Sequence, residues 1–200
     1  MEYEVRNPKQ VRAIRKKELI IEAGFKLICK NGYYNTNTAQ VAKEAGVSTG
    51  IVYQYFKDKY DIFMEGLKKY GDDIFFPMIK IEHDNFDISN FDIILKEMID
   101  KYINNHKMSK TAHEEITAMI HSNHDVAKYY YDKELEMTKS IHNTLLNNNF
   151  KSKNLSEKVH IMIGMIDNLC HEVVYHQHEN MNYNVMSDIV IKNIVDMFKE

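Results

Sequence analysis

A chain of 200 residues with 44% hydrophobic and 28% charged residues, seven Gly and two Pro has the composition of a folded, helix-rich protein rather than a disordered one, and its scarcity of breakers argues against an all-β design. Its two cysteines, Cys29 and Cys170, lie far apart without metal-type spacing, which speaks against a disulfide framework or a zinc site and fits a reducing cytoplasm. The net charge of -3 is unevenly spread: residues 1 to 59 hold eleven Lys and Arg against six Asp and Glu, and the remainder holds fifteen against twenty-three, so a basic segment precedes an acidic body.

No apolar run approaches the roughly 20 residues that span a bilayer, and the charged stretch from Met1 to Lys17 does not resemble an export signal, so a soluble, cytoplasmic protein with no membrane partner is expected. Asn7-Pro8 reads as a helix start, Val11, Ile14, Ile21, Phe25 and Ile28 supply an apolar stripe, and Gly32 ends a first helix of about 23 residues. Thr38 is read as the cap of a short second helix that stops at Gly46, and Ser48 as the cap of a third that reaches Tyr55. Asp58 with Asp61 opens a fourth, which Pro77 should end.

The periodicity lapses between Ile81 and Asp87, where a connector is expected. Ser89 with Asp92 then opens a fifth helix carrying Phe91, Ile94, Leu95, Met98 and Tyr102. A sixth runs from about Ala112 to His121, a seventh starts near Ser122 to Asp125 and ends at the triplet Asn147 to Asn149. The eighth begins at Ser156 with the stripe Val159, Met162, Ile163, Ile166, Leu169, Cys170 and Val173, and the ninth runs from Asn184 with Ile189, Val190, Ile194 and Phe198. The expected fold is all-α, with no strand and no internal repeat.

The segment from Thr38 to Lys59, TAQVAKEAGVSTGIVYQYFKDK, has the grammar of a helix-turn-helix. Ala42 is small where two helices cross, Gly46 suits a left-handed chain reversal, and Val41, Val47 and Val52 seal a miniature core. Such a pair sets the N-terminal residues of its second helix toward base edges, which makes Ser48, Thr49, Gly50, Ile51 and Gln54 the candidate readers. Gln can bond adenine in bidentate fashion, Thr several edges, and Ile a thymine methyl. Thr38, Tyr53, Tyr55 and Lys59 are candidate phosphate contacts, with Arg12, Arg15, Lys16 and Lys17 adding non-specific attraction.

Ala23-Gly24-Phe25, Gly32-Tyr33, Thr38, Val41-Ala42, Ala45-Gly46-Val47-Ser48, Gly50, Tyr53, Tyr55-Phe56, Lys57 and Lys59 together resemble the N-terminal domain of the TetR family of repressors over residues 10 to 67. Gln40 is a mild departure at a variable position. The resemblance implies a three-helix DNA-binding domain at residues 1–59, with a fourth helix from 58 as connector, and a helical effector-binding and dimerisation domain at 60–200. It further implies a homodimer built from the last two helices, and release of a near-palindromic operator when a small-molecule effector binds.

Met98, Tyr102, Met119, Tyr130, Met162, Ile166 and Cys170 lie on inward stripes and are candidates for lining an effector pocket, although the same residues suit a plain core. His121 with His124, and Glu172 with His176, share helical faces, but a metal site needs further ligands that the sequence does not show. Cys170 and His171 point roughly 100° apart on a helix, so no nucleophile–base pair, enzyme activity or cofactor is expected. Gly164 permits close backbone approach at the expected dimer face. The alternative is a helical small-molecule or metal-binding protein whose N-terminal helices are purely structural.

Overall fold

The computed structural model describes residues 11–75, 88–105 and 110–199. Among these there is no strand, and nine α-helices follow in order: α1 (Val11–Asn31), α2 (Thr38–Glu44), α3 (Thr49–Tyr55), α4 (Lys59–Phe75), α5 (Phe91–Asn105), α6 (Lys110–Ser122), α7 (His124–Asn147), α8 (Leu155–Tyr175) and α9 (Tyr183–Lys199). A single 3-10 turn, Ile88–Asn90, leads into α5. The expected helix start at Asn7-Pro8, the stop at Pro77 and the connector from Ile81 to Asp87 lie outside the described residues.

Backbone contacts divide the chain into two compact units. The first comprises α1 to α4 with α6 and the opening of α7; the second comprises α5, the rest of α7, α8 and α9. The first unit thus takes in helices beyond the three-helix segment that ends at residue 59.

In the first unit, Ile20, Ile21, Ala23, Val41, Ala42, Val52, Tyr55, Phe56 and Ile62 form one buried core, with Val47 and Ile51 packed against its edge. Val11 and Ile14, expected on the α1 stripe, are 81% and 42% exposed. Local chemistry sets the ends of the helices. Gly46 follows α2 with φ +66, the left-handed conformation that only glycine adopts without strain.

The cap of α2 corrects the sequence reading. Asn37, not Thr38, is the N-cap: its side chain accepts the Gln40 N–H at 3.0 Å, while the Gln40 side chain accepts the Asn37 N–H at 2.9 Å. This reciprocal capping box gives Gln40 a structural reason and leaves the Thr38 hydroxyl uncommitted to the helix end. Ser48 caps α3 as expected, through the Ile51 N–H at 3.4 Å. Asp58 accepts the Tyr60 and Asp61 N–H groups at the start of α4.

The second unit buries Phe91, Leu95, Ile99, Tyr102, Ile141, Leu145, Val159, Met162, Ile163, Ile166, Cys170 and Ile194 with their neighbours in one core. Ile189, expected on the inward stripe of α9, is 54% exposed instead. At the end of α7, Asn149 takes φ +59 and Phe150 N–H returns to the Leu145 carbonyl at 3.0 Å, so the asparagine triplet stops the helix by a left-handed turn. Phe150 then packs on the core.

Candidate nucleic-acid interface

The first unit sets two short helices across a four-residue turn, residues 45–48. Backbone N–H of Ala45 and Gly46 close the end of α2 onto the Val41 and Lys43 carbonyls, and Val47 N–H returns to Ala42 at 2.9 Å. Val41 and Val52, both fully buried, lock α2 to α3. With its inner face committed in this way, α3 presents Gly50, Tyr53 and Gln54 to solvent, while Ser48 is exposed just ahead of it and Thr49 is half-buried.

Tyr53 and Thr38 meet. The Thr38 Oγ1 and the Tyr53 OH lie 2.9 Å apart, an exposed hydroxyl pair that joins the first residue of α2 to the middle of α3. Each hydroxyl keeps acceptor capacity, and one retains a proton to donate outward, so the pair offers a neutral donor at a surface with exposed Arg12, Arg15, Lys16, Lys43 and Lys57 in the same unit. Lys17 is less available: its Nζ reaches Glu65 at 3.2 Å and sits 5.6 Å from the Phe56 ring centroid.

Two expected contact residues have other duties. Tyr55 is 5% exposed and belongs to the core, so its ring packs the head and does not face a phosphate; this corrects the sequence reading, which could not tell alternate tyrosines on one short helix apart. Lys59 is half-buried, and its Nζ donates to the Tyr33 carbonyl at 2.6 Å and the Thr36 carbonyl at 2.9 Å. Ile51 leans on the core edge and shows only part of its side chain.

The candidate pocket residues divide between the units. Met98, Tyr102, Met162, Ile166 and Cys170 share the core of the second unit, and Tyr130 is half-buried there, but Met119 belongs to α6 in the first unit. A surface depression of about 470 Å³ at the α7–α8 connection is lined by His142, Leu146, Lys151, Leu155 and Glu157 among others, and includes none of the seven. The sequence reading also missed a polar chain in this body. His171 Nδ1 lies 3.3 Å from Asp167, and its Nε2 lies 3.2 Å from the buried Tyr102 hydroxyl.

Burial pushes the Tyr102 and Tyr130 hydroxyls well above the ordinary tyrosine value, with Asp167 adding to it, and pushes the Cys170 thiol up to about 12. A thiol so held is protonated and unreactive, and the His171 ring is engaged with Tyr102 and Asp167. Glu172 pairs with His178 at 3.2 Å, where the sequence suggested His176. Among the described residues no group of three or more His, Cys, Asp or Glu side chains is placed to hold a metal ion, and no helix is long and apolar enough to cross a membrane.

A tight helix pair joined by a short turn, with the outer face of the second helix exposed, is the helix-turn-helix arrangement. The profile of bacterial regulatory proteins of the tetR family matches residues 20–65. The HTH-type transcriptional regulator HbdR of Aromatoleum sp. is 48% identical over 64 residues, 32% of this chain and 27% of that protein. The fatty acid metabolism regulator protein of Bacillus subtilis is 42% identical over 50 residues, 25% of this chain and 26% of that protein.

A putative TetR-family transcriptional regulator from Mesorhizobium loti superimposes with a TM-score of 0.68 at 19% identity, covering 94% of this chain and 97% of the other. Over residues 20–65 the chain is similar to the DNA-binding segment of the tetR family of bacterial regulatory proteins, and the relatives it matches are described as regulators. The chain spans only about a quarter of the length of these two curated relatives. The structural likeness extends the shared fold to 94% of this chain.

Proposed function

We propose that the chain is a ligand-responsive transcription repressor, which acts in the cytoplasm, binds a near-palindromic DNA operator as a homodimer and is released when a small hydrophobic effector enters its helical body. The observation that carries this reading is the Thr38–Tyr53 hydroxyl pair beside the exposed Ser48, Gly50 and Gln54. Thr38 and Tyr53 contact the DNA backbone, and Ser48, Thr49, Gly50, Gln54 and the free edge of Ile51 meet base edges. Two-fold pairing through α8 and α9 is supported by exposed Ile161, Val185 and Ile189, and by Gly164, around whose Cα the chain itself leaves open space. For the effector, the Met, Tyr and Cys side chains of the second core offer an adaptable apolar wall, with Tyr130 at its margin.

The test is an anisotropy titration of the full chain with duplexes recovered by random-site selection, at two salt concentrations, with Tyr53→Phe and Gln54→Ala alongside. Binding should weaken with salt and with both substitutions. An effector should then weaken it by about 5- to 150-fold, the usual range of coupling between sites. Absence of any salt-sensitive DNA binding would sink this reading in favour of a small-molecule or metal-binding protein with a structural N-terminal bundle.

A further inference from the structure

We propose that Glu115 on α6 and Lys59 on α4 are positioning residues for DNA binding: together they clamp the α1–α2 connection from both sides and so fix the phosphate-facing start of α2. The inference rests on the DNA-binding reading above. It concerns residues 32–37, six residues with little regular structure that determine where Thr38 stands.

The clamp has three parts, all within the first unit. Glu115 Oε2 accepts the Tyr33 backbone N–H at 3.0 Å. Lys59 Nζ donates to the carbonyls of Tyr33 and Thr36 and lies 4.3 Å from the Tyr33 ring centroid. The Thr36 hydroxyl, 1% exposed, donates to the Gly32 carbonyl at 2.9 Å. A single peptide residue, Tyr33, is therefore held by a carboxylate on its N–H and an ammonium on its C=O. One residue after Thr36 comes Asn37, the N-cap of α2, and then Thr38 itself.

The seat for Glu115 is built. Gly32 has φ +90, and a Cβ there would fall 2.6 Å from Glu115 Oε1. At that φ a side chain would be strained, and its Cβ would push the carboxylate away from the next amide. Lys59 shows the same commitment from its side: it is the first residue of α4, where the helix dipole disfavours a cation, yet it turns onto two carbonyls that offset that cost. Of its three N–H donors, two are used inside the protein.

Simple electrostatics and positioning predict opposite signs for Glu115. Removing a negative charge from a DNA-binding head strengthens binding if charge alone matters. If Glu115 holds the connection, losing it weakens binding. Lys59 is separated by a second readout. A lysine that neutralises a phosphate contributes about 0.9 to the slope of log affinity against log salt, whereas a lysine that acts through the protein contributes nothing.

The experiment uses the full chain and a duplex recovered by random-site selection with the wild type, titrated over a range of KCl. Glu115→Ala should raise Kd by about tenfold or more, the loss of one charge-assisted hydrogen bond, with the salt slope unchanged. Glu115→Gln, which keeps a carbonyl acceptor for the Tyr33 N–H, should recover most of the affinity. Lys59→Met should weaken binding with the slope unchanged. Thermal denaturation of each variant checks folding; should Glu115→Ala not fold, Glu115→Asp, which keeps the charge but draws the acceptor back, is expected to weaken binding instead.

A folded Glu115→Ala or Glu115→Asp that binds as well as the wild type, or better, overturns the role of Glu115. A slope that falls by about 0.9 in Lys59→Met makes that lysine a phosphate contact and overturns its part. A wild type that selects no duplex at all defeats the DNA-binding reading, and this inference with it, and so is distinguishable from the other failures.

Discussion

The two units of this chain solve the same packing problem with different degrees of specification. In the N-terminal unit almost every chain reversal depends on a particular residue type: Asn37 and Gln40 cap each other, Gly46 turns left-handed, Ser48 caps α3, and Asp58 caps α4. In the second unit, α5, α8 and α9 share a broad apolar core rich in Met, Ile and Leu, and α8 begins at Asn154 with no side-chain cap at all. A motif whose turns each demand one chemistry can be read from a single sequence. A core that demands only apolar volume cannot be read beyond its periodicity, and such a core is free to diverge.

The largest expected effect tests that contrast directly. Phe56 is 2% exposed in the small head core, and Phe56→Ala should cost about 3–5 kcal/mol in urea denaturation, because few neighbours can collapse into the gap. Met162 is fully buried in the larger core, and Met162→Leu, which keeps the volume, should cost less than about 1.5 kcal/mol. The sharper comparison is Phe56→Leu: if the head is as strictly specified as its turns, this variant should also lose more than Met162→Leu. Equal losses would break the contrast between the units.

Two glycines make a smaller test with opposite signs. Gly46→Ala must hold an L residue at φ +66 and should lower stability by about 1–2 kcal/mol, even though no heavy atom lies within 4 Å of the added carbon. Gly164 lies inside α8 with equally open space, and Gly164→Ala should raise the stability of the single chain by up to about 1 kcal/mol through helix propensity. Under the dimer proposed above, the same methyl group would intrude on the partner. Thermal denaturation across a concentration series should then show a gain at low concentration that disappears at high concentration.

The legibility of the sequence follows this division. The order of the helices, the all-α class and the Ser48 and Gly46 signals were available from residue types alone, since caps and reversals are local chemistry. Thr38 was misread as a cap because Asn37, one position earlier, satisfies the same rule, and only the partner at Gln40 decides between them. Tyr53 and Tyr55 could not be separated, because on a seven-residue helix the buried side depends on which neighbours cover it. Glu115 gave no local signal: it lies 82 residues from the amide it holds. Met119 fell on an inward stripe, but the stripe does not say which core it faces.

The smallest effect concerns charge in the head. Glu65 lies 3.2 Å from Lys17 and 3.4 Å from Lys68. Partial burial works to raise its pKa, but the hydrogen bond and charge of Lys17, aided by Lys68, hold it below the ordinary 4.5. A carboxylate with a depressed folded-state pKa contributes stability that is complete above its unfolded value and is lost as pH falls through the folded one. The first unit should therefore lose stability below about pH 4.5, and Glu65→Gln should flatten that part of the pH profile while changing little at pH 7 beyond the modest worth of an exposed pair. High salt should shrink the difference between wild type and variant, since the pair is open to solvent. A pH profile that keeps its full slope in Glu65→Gln would mean that acid sensitivity lies in other carboxylates, and that the Lys17–Glu65 bridge orients α1 on α4 without stabilising it.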